Sequence, residues 1–243
     1  MDANLIEIME SIQGEGLLIG TRQVFVRFQG CNLRCRYCDT MKALSPAPCC
    51  KVAPRPSTDE GTTWIDNPVS DHRLCSIIER FSPSWISFTG GEPLLWSPFL
   101  KQTMGILKPR GYSFFLETNG VLFDELDCCL ELLDMISMDI KMPSVTGKEL
   151  WEEHYKFLKK AAKKPCYVKV VITQECLVDH IFRAVRLMEA VDPNIPLVLQ
   201  PVTPQGECIP PPIDDLLRIQ EMVGRRLKEV RIIPQVHPIL GVR

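Results

Sequence analysis

Residues 30–40, GCNLRCRYCDT, place three cysteines at a C-x3-C-x2-C spacing directly after an apolar run, VFVRF. Glycine before Cys31 and polar residues before Cys35 and Cys38 favour a loop. Three thiolates can hold a [4Fe-4S] cluster with one iron open to another molecule, whereas a closed structural zinc site takes four protein ligands. The spacing therefore indicates an open-iron cluster. Two alternatives remain from the residues alone: a zinc loop completed by Cys49, Cys50 or a histidine, and three free thiols that pack as small hydrophobes.

The composition is that of a globular α/β chain with an ample core. Hydrophobic residues make up 45% of the 243 residues and charged residues 24%, and the net charge is −2. There is no basic excess to hold a phosphate backbone, so no direct nucleic-acid partner is expected. No run is long enough for a membrane span, and the first residues lack a signal-peptide pattern. Eleven cysteines in such a chain indicate a reducing compartment, the cytoplasm.

Strand-like runs alternate with helical patterns along the sequence. The runs cover 24–28, 85–88, 113–116, 135–140, 167–172, 197–200 and 230–233, and the helical patterns cover about 97–108, 124–133, 148–162, 178–191 and 213–228. This alternation predicts a parallel sheet. About seven βα units predict a full or partial barrel in one domain over 1–243. The proline-rich segment at about 41–75 is expected to be an irregular insertion.

Polar residues cluster where the strand-like runs end. They are Cys31, Gly90 with Gly91, Glu117 with Asn119, Asp139 with Lys141, Gln200, and Gln235 with His237. The carboxyl ends of parallel strands build the active site in βα barrels. This repeated placement predicts one catalytic cavity at that edge of the sheet.

The motifs together resemble a known family. They are SIQGEG (11–16), Arg27, CDT (38–40), GGEP (90–93), ETNG (117–120), DIK (139–141), LQP (199–201) and PQVH (234–237). The cysteine run with GGEP is similar to the radical S-adenosylmethionine (SAM) superfamily, and the full set resembles its 7-carboxy-7-deazaguanine synthase family. The resemblance spans nearly the whole chain except 41–75 and 202–212. It implies a modified, partial TIM-like (βα) barrel of the radical SAM type, and a radical SAM carbon–nitrogen lyase of queuosine and 7-deazapurine biosynthesis.

The resemblance also implies cofactors and their residues. Cys31, Cys35 and Cys38 would hold three irons of a [4Fe-4S] cluster, and SAM would chelate the fourth and yield a 5'-deoxyadenosyl radical on reduction. The SAM-facing residues would be Tyr37, Cys38, Asp39, Gly91, Glu92, Ser137, Asp139, Lys141 and Gln200. Thr40 would hold Mg2+, a cation that keeps waters and takes few protein ligands. An internal Asp139–Lys141 bridge is the alternative for that pair.

The implied substrate is 6-carboxy-5,6,7,8-tetrahydropterin. The residues that bind this substrate would be Ile12, Gln13, Gly14, Glu15, Arg27, Thr89, Glu117 and His237. Arg27 lies in a strand-like run apolar enough to be buried, where a guanidinium needs an anion, and arginine suits a carboxylate. The alternative for Arg27 is an internal ion pair with Glu15 or Glu7, and for His237 a satisfied core histidine. Glu117 would bind the pterin or a ribose.

Partners follow from the same resemblance. It implies an electron donor such as flavodoxin and a homodimer. Two other classes stay open at the sequence level. One is a glycyl-radical enzyme activase, which shares the cysteine run but acts on a protein. The other is a non-catalytic metal-binding interaction protein.

Overall fold

The described chain, residues 1–55, 57–176 and 178–242 of a computed structural model, alternates strands with helices. The strands are β1 (Asp2–Ala3), β2 (Leu5–Ile12), β3 (Arg22–Phe28), β4 (Cys49–Ala53), β5 (Thr63–Asp66), β6 (Val69–Ser70), β7 (Trp85–Gly90), β8 (Ser113–Thr118), β9 (Met135–Asp139), β10 (Cys166–Ile172), β11 (Leu197–Pro201) and β12 (Val230–Ile232). The helices are α1 (Asp71–Ile78), α2 (Ser97–Leu107), α3 (Phe123–Asp127), α4 (Pro143–Thr146), α5 (Trp151–Ala161), α6 (Val178–Val191), α7 (Ile213–Gly224) and α8 (His237–Leu240).

Ten of these strands form one sheet in the order β12-β11-β10-β9-β8-β7-β3-β2-β4-β5. The seven strands from β12 to β3 are parallel neighbours. On the far side of β3, β2 runs antiparallel to it, β4 parallel to β2, and β5 antiparallel to β4. In the described part of the chain β12 and β5 do not pair, so the sheet is open. This confirms the partial barrel and excludes a closed one.

The core lies between the parallel strands and the helices packed on them. Ile86, Ser87 and Phe88 of β7 are all fully buried, because both faces of this strand are covered. Phe28, Phe88, Phe99 and Phe114 join β3, β7, β8 and α2, with neighbouring ring centroids 5.9–6.1 Å apart. None of the helices in the described ranges is both long and apolar enough to cross a bilayer.

The sequence-based boundaries hold for most of the parallel strands and for α2, α5, α6 and α7. The helix expected at 124–133 is shorter, because α3 ends at Asp127 and a 3-10 turn follows at Leu130–Leu132. The segment at 41–75 is less irregular than expected. Its β4 and β5 form an antiparallel pair attached to β2, and α1 begins at Asp71.

Candidate active site

A cavity of about 1260 Å³ opens at the carboxyl ends of the parallel strands. Every site residue expected from the sequence lines it except Glu92: Ile12, Gln13, Gly14, Glu15, Arg27, Cys31, Cys35, Tyr37, Cys38, Asp39, Thr40, Thr89, Gly91, Glu117, Ser137, Asp139, Lys141, Gln200 and His237. Parallel strands bring their carboxyl ends to one edge, which is why residues far apart in sequence meet here. The placement leaves the individual binding roles as predictions.

The three cysteines lie on the loop after β3, and all three are half-buried free thiols. The loop is held by its own backbone, with the Cys38 N–H donating to the Cys35 carbonyl at 3.2 Å. The Leu33 N–H donates to the Cys31 Sγ at 3.4 Å. Burial raises the pKa of the Cys35 thiol to about 11, so metal binding must displace its proton.

The GGEP turn after β7 is pressed against the start of this loop. The Glu92 N–H donates to the Gly30 carbonyl at 2.8 Å, and a Cβ at Gly91 would collide with that carbonyl. The Glu92 side chain points away from the cavity. It accepts hydrogen bonds from the Thr118 hydroxyl and the Asn119 N–H, both at 2.8 Å. A cofactor contact through the Glu92 backbone stays a prediction.

Three buried acceptors on the cavity wall take no hydrogen bond within the described residues: Asn119 Oδ1, Asp139 Oδ1 and Gln200 Oε1. Buried polar atoms are almost always paired, so these acceptors indicate a ligand that carries donors. The ammonium group and ribose hydroxyls of SAM are such donors. Together with three thiols and the close approach permitted by Gly91, the residues fit a [4Fe-4S] cluster with SAM.

The internal Asp139–Lys141 bridge, which the sequence left open as the alternative to a cofactor role, is present. Lys141 Nζ donates to Asp139 Oδ2 at 2.7 Å and lies 5.1 Å from the centre of the Tyr37 ring. Burial works against the ammonium, but Asp139 and its neighbours raise the pKa of Lys141 well above its usual value. The bridge uses Oδ2, and Oδ1 has no hydrogen-bond partner within the described residues, so a SAM contact of Asp139 through Oδ1 stays a prediction.

On the opposite side, Gln13 joins the Glu117 carboxylate to the backbone of Glu15 in the expected substrate pocket. Its Nε2 donates to Glu117 Oε1 at 3.0 Å, and its Oε1 accepts from the Glu15 N–H at 3.0 Å. Burial, and then the charge of Glu15, raise the pKa of Glu117. Burial acts the same way on Glu15, but the charge of Lys169 and hydrogen bonds from Gln235 and Lys169 together outweigh it and lower the pKa of Glu15 to about 2. The pKa values of the two neighbouring carboxylates are therefore shifted in opposite directions.

Arg27 makes the internal ion pair that the sequence left open, with Nε donating to Glu7 at 2.8 Å. Its Nη1 donates to the Thr40 hydroxyl at 3.3 Å, and that hydroxyl donates to Asp39 Oδ1 at 2.9 Å. These bonds use neither hydrogen of Nη2. The guanidinium is thus fixed by Glu7 while one edge remains for an anion.

The C-terminal segment completes the cavity wall beside the turn that contains Gly14. The Val236 N–H donates to the Gly14 carbonyl at 2.9 Å, and a Cβ at Gly14 would strike the His237 ring. Ligand atoms of Glu15, Asp39 and His237 lie within 4.8 Å of one another. That set can hold a divalent cation, although Glu15 already pairs with Lys169.

Sequence reasoning missed two residues at this site, Lys169 and His154. Lys169 lies in β10 and lines the cavity. The sequence feature that could have identified it was a lone charge in the apolar run YVKVVI. His154 of α5 is fully buried. Its Nε2 accepts from the Lys141 N–H at 3.2 Å, so its Nδ1 carries the proton donated to the Gly120 carbonyl at 3.0 Å. Nothing in the lysine-rich helical sequence pointed to this role.

Comparison with known proteins begins with the fold. The Radical SAM superfamily model matches residues 25–174. The crystal structure of QueE from Escherichia coli aligns with a TM-score of 0.62 at 18% identity, covering 95% of this chain and 93% of that one. A radical SAM methyltransferase from Sphaerobacter thermophilus aligns with a TM-score of 0.63 at 13% identity, covering 88% and 66%. The family match and the three-cysteine loop at the cavity define a radical SAM enzyme, which confirms the expected cluster and SAM.

Sequence relatives narrow this class. The 7-carboxy-7-deazaguanine synthase of Geobacter sulfurreducens is 42% identical over 98% of this chain and 97% of its own length. The enzyme of the same name from Methanocaldococcus jannaschii is 35% identical over 97% and 98%. The chain belongs to the 7-carboxy-7-deazaguanine synthase family. These relatives favour neither the activase nor the non-catalytic alternative.

Proposed function

We propose that this chain converts 6-carboxy-5,6,7,8-tetrahydropterin to 7-carboxy-7-deazaguanine and ammonia, as a radical SAM carbon–nitrogen lyase. Substrate and product differ in composition by one molecule of ammonia, so the overall reaction needs no external oxidant or reductant. The observation that carries the proposal is the shared cavity. Gln13 with Glu117 and Arg27 with Thr40 face the same space as the three-cysteine loop.

When bound, the cluster and SAM supply the one-electron chemistry that removes a hydrogen atom from the substrate. The chain's own residues position the reactants and exclude water. Gln13 and Glu117 offer a donor and acceptors to the pterin edge, and Glu117 keeps a proton more readily than an exposed glutamate because burial raises its pKa. Asp139 Oδ1 and Gln200 Oε1 are acceptors for SAM.

The carboxylate of the substrate would bind at Arg27. Glu7 fixes the guanidinium through Nε, and Nη2 remains for the ligand. Thr40 stands beside it with its hydroxyl engaged by Arg27 and Asp39, which leaves one oxygen lone pair for Mg2+. A threonine with substrate oxygens and waters is an adequate shell, since Mg2+ takes few protein ligands.

The remaining parts of the proposal are a reducing electron donor, such as flavodoxin, a homodimer and a cytoplasmic location. All eleven cysteines lie in the described ranges as free thiols, which supports a reducing compartment. The half-buried cluster loop is near enough to the surface for electron entry.

The test is an anaerobic assay of the reconstituted protein with SAM, a chemical reductant and the tetrahydropterin, with products identified by mass. We expect 7-carboxy-7-deazaguanine and ammonia in equal amounts. Production of 5'-deoxyadenosine without the deazaguanine would reject the substrate and keep the enzyme class. Cys35→Ala should abolish both products, whereas the matched Cys128→Ala, outside the cavity, should leave them unchanged.

The role of Arg27 is tested by comparing its loss with the loss of its partner. Arg27→Gln should raise KM for the pterin at least tenfold, since it removes the anion site. Glu7→Gln keeps the guanidinium and should leave KM unchanged or lower. If the two variants are impaired equally, Arg27 serves only its internal ion pair.

A further inference from the structure

Lys169 is a buried ammonium that the proposed reaction does not use. Its side chain is 13% exposed in β10 and lines the cavity. It forms an ion pair with Glu15 Oε2 and lies 3.5 Å from Asp139 Oδ2. Burial works against its charge, but Glu15 and Asp139 raise the pKa of Lys169 above its usual value. The ammonium is therefore permanent at neutral pH, and it lies between two carboxylates.

The two carboxylates belong to different pockets. Glu15 lies in the turn that carries Gln13, whose amide bonds to Glu117. Asp139 lies on β9 directly across from Lys169 in the strand register. Its other partner is Lys141, the residue beside Tyr37. One ammonium thus joins the substrate side of the cavity to the SAM side.

The two ion contacts are unequal. Glu15 holds the ammonium closely, whereas Asp139 Oδ2 lies farther from it, at 3.5 Å. Donors of a pterin that bind to Glu15 would draw on the same carboxylate charge. The ammonium would then be free to close on Asp139 Oδ2. Asp139 would then be held by both ammonium groups through Oδ2, and its Oδ1, which has no hydrogen-bond partner within the described residues, would be the acceptor for a ribose hydroxyl.

We infer that Lys169 is a positioning residue that couples the binding of the pterin to the binding of SAM, through Glu15 and Asp139. The identities of the two ligands rest on the proposed function. Coupling between two sites is reciprocal, and typical values change an affinity by about 5- to 150-fold. We expect each ligand to tighten the other by about tenfold.

The experiment measures the dissociation constant of SAM by anaerobic calorimetry on the cluster-loaded protein, with and without saturating tetrahydropterin. In the wild-type protein the pterin should tighten SAM by about tenfold. In Lys169→Met this effect should vanish, and Lys169→Arg, which keeps the charge, should restore part of it. Absence of coupling in the wild type, or full coupling in Lys169→Met, would overturn the inference.

Two further variants test whether Lys169→Met loses the coupling only because it fails to fold. Lys108→Met removes an ammonium bonded to both oxygens of Asp134 at 2.6 and 2.7 Å, away from the cavity, and should keep the coupling. The double variant Glu15→Gln/Lys169→Met removes the ammonium together with its closest anion. It leaves Asp139 paired with Lys141, and its affinity for SAM should be independent of the pterin. Persistence of the pterin effect there would also overturn the inference.

The outcome separates this inference from the proposed function. If the wild-type protein does not bind the tetrahydropterin, the substrate assignment fails. In that case the affinity for SAM alone tests whether Lys169 positions Asp139. Lys169→Met should weaken SAM binding several-fold, and Lys108→Met should not. Unchanged affinity for SAM in Lys169→Met would reject the positioning role in either case.

Discussion

Glu92 is a fully buried carboxylate that joins two turns of the active site. It accepts hydrogen bonds from Leu94, Thr118 and Asn119. These donors favour its charge, but burial outweighs them and raises its pKa to about 7. The folded state therefore holds a proton that the unfolded chain, with a glutamate pKa of about 4.5, has already released. The stability of the protein must depend on pH through this group.

The sign follows from the raised pKa. Between pH 4.5 and 7 the folded state binds more protons, so the contribution of Glu92 to stability falls as pH rises, and it levels off above pH 7. The expected loss is about 3 kcal/mol across that window, at about 1.4 kcal/mol per pKa unit. Urea unfolding of the wild-type protein at several pH values measures it.

Other groups titrate in the same range, so the measurement needs a matched variant. Glu92→Gln is neutral at every pH and should be less stable than the wild type at pH 5, because its amide faces the N–H donors of Leu94 or Asn119. Its deficit should shrink as pH rises to 8. A deficit that stays constant with pH would show that Glu92 titrates normally.

Asn119 lies beside a cysteine of the cluster loop, and we expect it to affect the cluster rather than the substrate. Its Nδ2 donates to Asn32 Oδ1 at 2.7 Å and lies 3.9 Å from the Cys31 Sγ. Hydrogen bonds to cluster sulfurs stabilise the reduced state. Asn119→Ala should therefore lower the midpoint potential of the cluster, by about 40 mV for a bond of about 1 kcal/mol. A redox titration followed by electron paramagnetic resonance measures it.

The control for Asn119 is its partner. Asn32→Ala frees the Asn119 amide and leaves it beside the Cys31 sulfur, so the potential should not fall. Equal decreases in both variants would mean that the loop conformation, not the donor, sets the potential.

At the scale of single residues, the sequence predicts those site residues whose type is unusual for the segment in which they lie. Three cysteines in a loop and an arginine in an apolar strand stand out, and the structure places Cys31 and Arg27 on one cavity. The sequence did not predict that Glu92 points away from the cavity, because a backbone turn does not fix the direction of a side chain. His154 was hidden because a histidine on an amphipathic helix has no distinguishing pattern.

At the scale of elements, α5 is anchored to the ends of two strands by one histidine. His154 bonds to the Lys141 N–H and the Gly120 carbonyl, and burial lowers its pKa so that the ring stays neutral. His154→Leu would leave both backbone groups unpaired and should cost about 2–4 kcal/mol of stability. The affinity for SAM should fall as well, since Lys141 loses its backbone support.

A second histidine provides the comparison. His180 of α6 is half-buried, and its Nδ1 makes no hydrogen bond within the described residues. His180→Leu should cost less than about 1 kcal/mol and leave the affinity for SAM unchanged. Urea unfolding measures the stability of both variants, and calorimetry measures their affinity for SAM. Similar losses in the two would mean that His154 contributes only by packing.

The elements that the sequence missed are the short and the antiparallel ones. The strand β2 and the β4–β5 pair extend the sheet beyond β3. The prolines of 41–75 suggested irregular chain, yet Pro48, Pro54 and Pro68 flank the two strands and do not interrupt them. β4 forms because β2 offers it a pairing partner, and β5 forms because it pairs with β4. A local sequence pattern cannot show a pairing partner that is distant in sequence.

At the scale of the whole molecule, the cavity wall is completed by segments from the two ends of the described chain. Gln235 Nε2 donates to Glu15 and, at 3.3 Å, to Asp39 Oδ2, and its Oε1 accepts from the Thr203 hydroxyl. His237 covers Gly14. The C-terminal segment therefore orders groups on the substrate side without forming part of the parallel sheet.

Removing residues 235–243 should leave the fold and the cluster intact but weaken pterin binding by at least tenfold, because Glu15 and Asp39 lose a shared donor. Removing only 241–243, beyond the exposed Ile239 and Leu240, should have no effect. Iron content, thermal unfolding and calorimetry with the pterin measure the three properties. If the longer truncation binds pterin normally, the wall formed by 235–237 is dispensable, and the substrate must be held by the strand-end residues alone.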